Sequence, residues 1–273
     1  VKTMPPELFT SFDGTKLEIE LVRATDERAC IVLWPCMGGS FGMYRFPARD
    51  FAELGYSSVQ FNPRGHGASG GQLSIQSAVK DLDYFLAHNR LAGAPLVGIG
   101  HSAGANALLQ YASFNGNFLR FFLVAPVLDS RMSLEYLYAH GNIHEFNPIL
   151  GMRAGTSDVI HECLGDSRWM DQDYWKKNGL RDYMDSKSGK VLIGTFLENL
   201  FIPGHNAYPY LKEKAGMTEV ILAAEDHCYP PEETKRLARE YGFVLTRMAQ
   251  ARDHFFARAW PAVWAHVMEN IGR

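Results

Sequence analysis

The chain has 273 residues, 47% apolar, 12% aromatic and 21% charged, a composition that can bury its own core and excludes a disordered chain or a disulfide-dependent miniature scaffold. Lysine and arginine number 27 against 30 acidic residues, for a formal net charge of −3; with no basic block, no nucleic-acid partner is expected. The four cysteines, Cys30, Cys36, Cys163 and Cys228, contain no C-x-x-C pair and read as reduced thiols in a cytoplasmic setting.

Taken in chain order, Phe9 to Leu21 reads as two strands around an Asp13-Gly14 turn. The second alternates Leu17, Ile19 and Leu21 with Lys16, Glu18 and Glu20, as a half-exposed antiparallel strand does. Ala29 to Trp34, Ser58 to Phe61, Pro95 to Gly100 and Phe121 to Val127 are nearly continuous apolar runs, the pattern of parallel strands buried on both faces. Between them Ile75, Ala78, Val79, Leu82, Phe85 and Leu86 form one helical stripe that covers the sheet.

Leu91 to Leu119 carries no Asp, Glu, Lys or Arg. Its Gly93, Pro95, Gly98, Gly100, Gly104 and Gly116 are foreign to a spanning helix of about 20 apolar residues. It is expected to be a buried strand, turn and helix, with no membrane span. Val1 to Pro6 shows no apolar stretch of the secretory kind.

After Asp129 the alternation stops, and 130–216 reads as an inserted, mainly helical cap or lid. The sheet pattern resumes at Thr218 to Ala224, followed by a helix from Pro231, a strand near Phe243 to Met248 and a last helix from His254, which Pro261 is expected to kink. The fold expected is α/β: a mostly parallel, doubly wound sheet flanked by helices, with a core of 1–129 and 217–273.

Gly100-His101-Ser102-Ala103-Gly104 is a G-x-S-x-G string between an apolar strand and a helical run. That context puts Ser102 on a sharp strand-to-helix turn with its Oγ at the carboxyl edge of the sheet, and the flanking glycines leave room for a strained nucleophile. A hydroxyl needs a base, and the base an orienting carboxylate. His254, between the last strand and the last helix, reaches the same edge; Asp253 beside it is also suited to capping a helix. Asp226, after the strand Val220 to Ala224, is the favoured acid, with Glu225 and Asp129 as alternatives. For an oxyanion the donors are the N–H groups of Ala103 and of Met37 in the Gly-rich Pro35-Cys36-Met37-Gly38-Gly39 loop.

These residues, with Asn62-Pro63-Arg64-Gly65-His66-Gly67-Ala68-Ser69, which is similar to a D-x-R-G-x-G-x-S loop, resemble the α/β-hydrolase superfamily over about 8–129 and 217–271. The resemblance implies a cofactor-free Ser-His-Asp hydrolase of a small-molecule acyl substrate: most often an esterase, lipase, thioesterase, peptidase or C–C bond hydrolase. A Ser nucleophile argues against the dehalogenase and epoxide hydrolase relatives. Two departures stand out: Pro35-Cys36 where many members have His-Gly, and Asn62 in place of Asp.

Weaker constellations are His140, His144 and Glu145, and His161, Glu162 and Cys163, read as polar surface groups rather than a metal site. The aromatics Tyr136, Tyr138, Phe146, Trp169, Tyr174, Trp175 and Phe196 are expected mainly to pack, some of them around an acyl pocket. The leading expectation is a carboxylic ester or thioester hydrolase; the competing one is a ligand-binding or signalling module on the same fold.

Overall fold

The computed structural model describes residues 2–3, 7–37, 39–71, 75–140 and 206–272. Among the described residues nine strands form one sheet: β1 (Lys2–Thr3), β2 (Glu7–Thr10), β3 (Lys16–Arg23), β4 (Ala29–Trp34), β5 (Tyr56–Phe61), β6 (Pro95–His101), β7 (Asn117–Val124), β8 (Thr218–Ala223) and β9 (Val244–Met248). Their order is β1-β3-β5-β4-β6-β7-β8-β9, with β2 also beside β3. From β5 to β9 every pairing is parallel, whereas β3 runs antiparallel to β5. Among the described residues the helices are α1 (Ala48–Glu53), α2 (Ile75–His88), α3 (Ala103–Phe114), α4 (Ser130–Ala139), α5 (Tyr208–Lys214), α6 (Pro231–Tyr241) and α7 (Trp260–Asn270). None of them is long and apolar enough to cross a membrane.

The continuous apolar runs have the period-2 logic of strands covered on both sides. In β4, Cys30, Val32 and Trp34 join one cluster with α2, α3 and α5, while Ala29, Ile31 and Leu33 join the other, beneath α7. Phe121 and Leu123 of β7 face the first layer, and Phe122 and Val124 the second. Each such large side chain, fully buried, contributes about 1.5–3 kcal/mol relative to solvent exposure. A parallel sheet with helices on both faces places all its strand-to-helix turns at one carboxyl edge, and that edge carries the site.

Three boundaries differ from the sequence reading. The strand expected at Phe121 to Val127 runs instead from Asn117 to Val124, because Ala125 takes a left-handed φ of 40° that ends it. The last helix begins at Trp260 rather than His254: Phe256 and Arg258, at φ 55° and 63°, break any helix before it. Pro261 therefore sits in the first turn, where its missing N–H costs nothing, and it does not kink the helix.

Of the expected insertion, 141–205 lies outside the described residues. At its near end α4 is hydrogen-bonded to the loop after β8, through Ser133 to the Cys228 carbonyl and Tyr136 to the Asp226 carbonyl. At its far end Ala207, Leu211 and Ala215 are buried in the core against the sheet's helices, so the segment before β8 is part of the core layer.

Candidate active site

β6 ends in His101, and α3 begins at Ala103. Ser102 between them has φ 56° and ψ −127°, a backbone region that costs a non-glycine residue on the order of 1–3 kcal/mol. Hydrogen bonds on both sides hold it there: its N–H donates to Val124, and its carbonyl accepts from Ala105 and Val127. The flanking glycines are demanded by space. A Cβ on Gly100 would lie 2.6 Å from the Ala105 Cα, and one on Gly104 would lie 2.2 Å from the Pro35 carbonyl oxygen. The elbow is thus wedged against the backbone of the loop after β4.

Across the edge, Ser102 Oγ lies 2.8 Å from His254 Nε2, and His254 Nδ1 lies 3.0 and 3.1 Å from the two Asp226 oxygens. All three residues are buried. Asp226 Oδ1 also accepts the backbone N–H groups of Cys228 and Tyr229. Burial pushes this carboxyl up, but the imidazole and the two N–H donors outweigh it, so the net shift is below its ordinary value. An ionised Asp226 favours the His254 tautomer with Nδ1 protonated, which leaves Nε2 free to accept the Ser102 proton. Of the two alternative acids, Glu225 is exposed to solvent. Asp129 is engaged elsewhere, accepting from the Met132 N–H at the start of α4 and from the Asn206 side chain.

Ala103 and Met37 line one small cavity of about 30 Å³, together with Trp34, Gly104 and His66. The two residues expected to carry oxyanion donors therefore face a common space beside the elbow. His140 is exposed and donates Nδ1–H to the Tyr136 carbonyl; the other expected metal-capable residues and most of the cap aromatics lie outside the described residues. Among the described residues the only potential metal-ligating group is Asp226, Cys228 and His254, which shares two members with the site itself.

A family model described as serine aminopeptidase, S33, matches residues 25–243. The chain belongs to this family of α/β-hydrolases. No curated protein matches it significantly, but solved α/β-hydrolase structures do. A carboxylesterase of the thaumarchaeon Nitrososphaera gargenis superposes with a TM-score of 0.65 at 16% identity over 96% of each chain. The esterase EaEST from Exiguobacterium antarcticum gives 0.64 at 13% identity, covering 97% of this chain and 98% of its own. GrgF from Penicillium sp. sh18, an α/β hydrolase, gives 0.64 at 14%, covering 96% and 95%. At such identities the likeness is one of fold.

In this α/β-hydrolase a second layer of residues, missed in the sequence reading, ties the three loops of the site together. The Cys36 N–H donates to Tyr44 Oη at 2.7 Å, Tyr44 Oη pairs with His101 Nδ1 at 3.0 Å, and His101 Nε2 pairs with the His254 carbonyl at 2.9 Å. Since the phenol oxygen already accepts from Cys36 and a carbonyl can only accept, the line runs one way: Tyr44 O–H donates to Nδ1, and Nε2–H donates to His254. Burial above all, and then the neighbouring His254, push the His101 pKa down to about 3, so the ring stays neutral. This line joins the loop after β4, the residue before the nucleophile candidate and the base candidate's own backbone.

Both departures from the family pattern have a local role. Cys36 is buried with its thiol pushed up to about 11 by desolvation, so it packs rather than reacts. Asn62 accepts from the Phe41 N–H and donates to Ser40 and to the Glu18 carboxylate. An aspartate there would meet Glu18 as a like charge.

Proposed function

We propose that this α/β-hydrolase cleaves a carboxylic ester, or a thioester, of a small to medium acyl substrate through Ser102, His254 and Asp226. The observation that carries the proposal is the unbroken line from Ser102 Oγ through His254 to Asp226, buried and ending on a serine in a strained elbow. His254 Nε2 takes the Oγ proton as Oγ attacks the acyl carbon, and the carbonyl π pair becomes an oxyanion opposite Ala103 and Met37. Collapse expels the leaving group, which receives the proton from His254. Water, deprotonated by the same nitrogen, then releases the acid and regenerates Ser102. Asp226 holds the imidazole and offsets its charge while it is protonated. Each oxyanion donor is worth about 10²–10³ in kcat.

A peptide bond is the second reading, favoured by the family model's description as serine aminopeptidase; the esterase and carboxylesterase neighbours favour the first. The test is intact-mass spectrometry after treatment with a fluorophosphonate, which reacts with a serine whose base and oxyanion donors function. A single adduct on wild type and none on Ser102→Ala is expected. A folded wild type without an adduct would overturn the reading in favour of a ligand-binding module. Turnover of p-nitrophenyl acyl esters against aminoacyl p-nitroanilides then separates ester from amide.

A further inference from the structure

A cavity of about 490 Å³ lies next to the site but is lined by none of Ser102, His254 or Asp226. Its size falls in the range of small-molecule pockets, roughly 300–1,000 Å³. Among the described residues the lining includes Tyr44, Phe255, Trp260 and Trp264, its charged members are Arg45 and Arg258, and it contains no Asp or Glu. We propose that this cavity is a second ligand site, for an aryl or medium-chain alkyl carboxylate.

Charge and shape both point to that class. Arg45 and Arg258 are exposed, and among the described residues neither has an ion-pair or hydrogen-bond partner. Two guanidinium groups with no counter-charge among the described residues, beside an aromatic-rich hollow, favour a ligand with one anionic end and an apolar body. The carboxylate would accept paired N–H donors at the rim, where solvation limits the desolvation cost, while the body lies in the apolar hollow beside the half-buried Phe255. Both arginines also have left-handed backbone, φ 45° and 63°, a region where Gly or Asn would cost less. Two walls adjoin the site: the Phe255 ring lies 5.3 Å from the His254 ring, and Tyr44 is the hydroxyl that pairs with His101. The ligand site is therefore separate from the Ser102 site yet shares Tyr44 with the line behind it. It stands on its own lining and does not depend on the reaction assigned to Ser102.

The test is isothermal titration of 2-naphthoate and of the neutral 2-naphthylmethanol into the full chain. Wild type is expected to bind the carboxylate more tightly than the alcohol. Arg45→Gln combined with Arg258→Gln should weaken the carboxylate by about tenfold or more and change the alcohol by less than about twofold, with activity towards esters unchanged. Ala257→Trp, at an exposed position in the cavity lining, should block both ligands while leaving the thermal midpoint near that of wild type. No carboxylate binding by wild type up to about 1 mM, the weak end of specific association, would overturn the proposal. Carboxylate affinity that ignores the arginine changes or the tryptophan plug would do the same by placing the ligand elsewhere.

Discussion

Two buried polar clusters in this molecule are built on opposite terms. Near β3, Arg64 reaches Asp81 with two bonds of 2.7 Å and Asp13 with one of 2.6 Å, and Ser11 adds a further bond to Asp81. Each of the three Arg64 nitrogens donates to a carboxylate oxygen, and the guanidinium keeps its charge at any ordinary pH. At the carboxyl edge the groups are two hydroxyls, two imidazoles and a carboxylate, around a serine held at φ 56°. The first cluster has no proton to move and no strain at its centre, so it serves packing and register. The second has a donor–acceptor line along which a proton can travel, and backbone strain at the end of it. Burial and hydrogen bonding are common to both, so those features alone do not single out a candidate reactive site; titratable groups in series and a strained serine set the second apart.

Substitutions can break this contrast. On the serine-hydrolase reading Ser102→Ala should lower kcat by about 10⁶-fold while the melting curve stays close to wild type, and steady-state turnover at wild-type rate would move the nucleophile elsewhere. Asp226→Asn should cost about 10⁴-fold by favouring the wrong His254 tautomer, read as kcat at matched folded fraction. On the other side of the contrast, Asp81→Ala leaves Arg64 buried without its main partner and should lower stability by about 3–5 kcal/mol in urea titration. Turnover per folded molecule should remain that of wild type; a fall of the Ser102→Ala size would erase the distinction between the clusters.

Smaller changes sharpen the comparison. Tyr44→Phe keeps the ring that packs edge-on to His101 and Trp260 but leaves the Cys36 N–H and His101 Nδ1 unpaired. A loss of about 1–3 kcal/mol is expected, with a fall in kcat as the Met37 loop loosens. Lost stability at unchanged kcat would make Tyr44 structural only. The last effect is on pH dependence. His101 stays neutral in the fold down to about 3, against an ordinary value of 6.5, so between those limits the unfolded chain binds the extra proton. Stability contributed by neutral His101 is present above that window and falls by about 1.4 kcal/mol per unit as pH drops through it. His101→Gln should flatten the slope between pH 6 and 4.5 in urea titrations; an unaltered slope would remove His101 as the source of the acid loss there, because Asp226, whose lowered pKa acts in the same direction, takes up its proton in the unfolded chain around its ordinary 3.8, below that range.

The candidate site was legible in the sequence where residues that could carry chemistry sit in short-range backbone patterns. Gly100 to Gly104 between an apolar run and a helical one places Ser102, and an acidic residue after Val220 to Ala224 narrows the acid to a few positions. The sequence favoured Asp226 over Glu225 and Asp129 without deciding among them: neighbours along a chain leaving a strand point in opposite directions, and only the packed loop turns Asp226 inward and Glu225 to solvent. Tyr44 and His101 gave no local signal either, because their bonds join residues 57 and 153 positions apart.

The sequence by itself determined the layered α/β architecture and the edge at which the chemistry-bearing residues gather. Alternation and apolar runs report burial directly, and parallel strands open all their turns on one side. Only the tertiary structure decided that residues 254–259 form an irregular turn in place of the first turns of a helix, with Asp253 accepting from Phe255 and Ala257. That turn frees the His254 carbonyl for His101 and opens the hollow under Arg258. No propensity encodes it, because left-handed backbone at Phe256 and Arg258 is unfavourable locally and persists only where the surrounding packing, with Phe256 buried at 0% exposure, outweighs its cost.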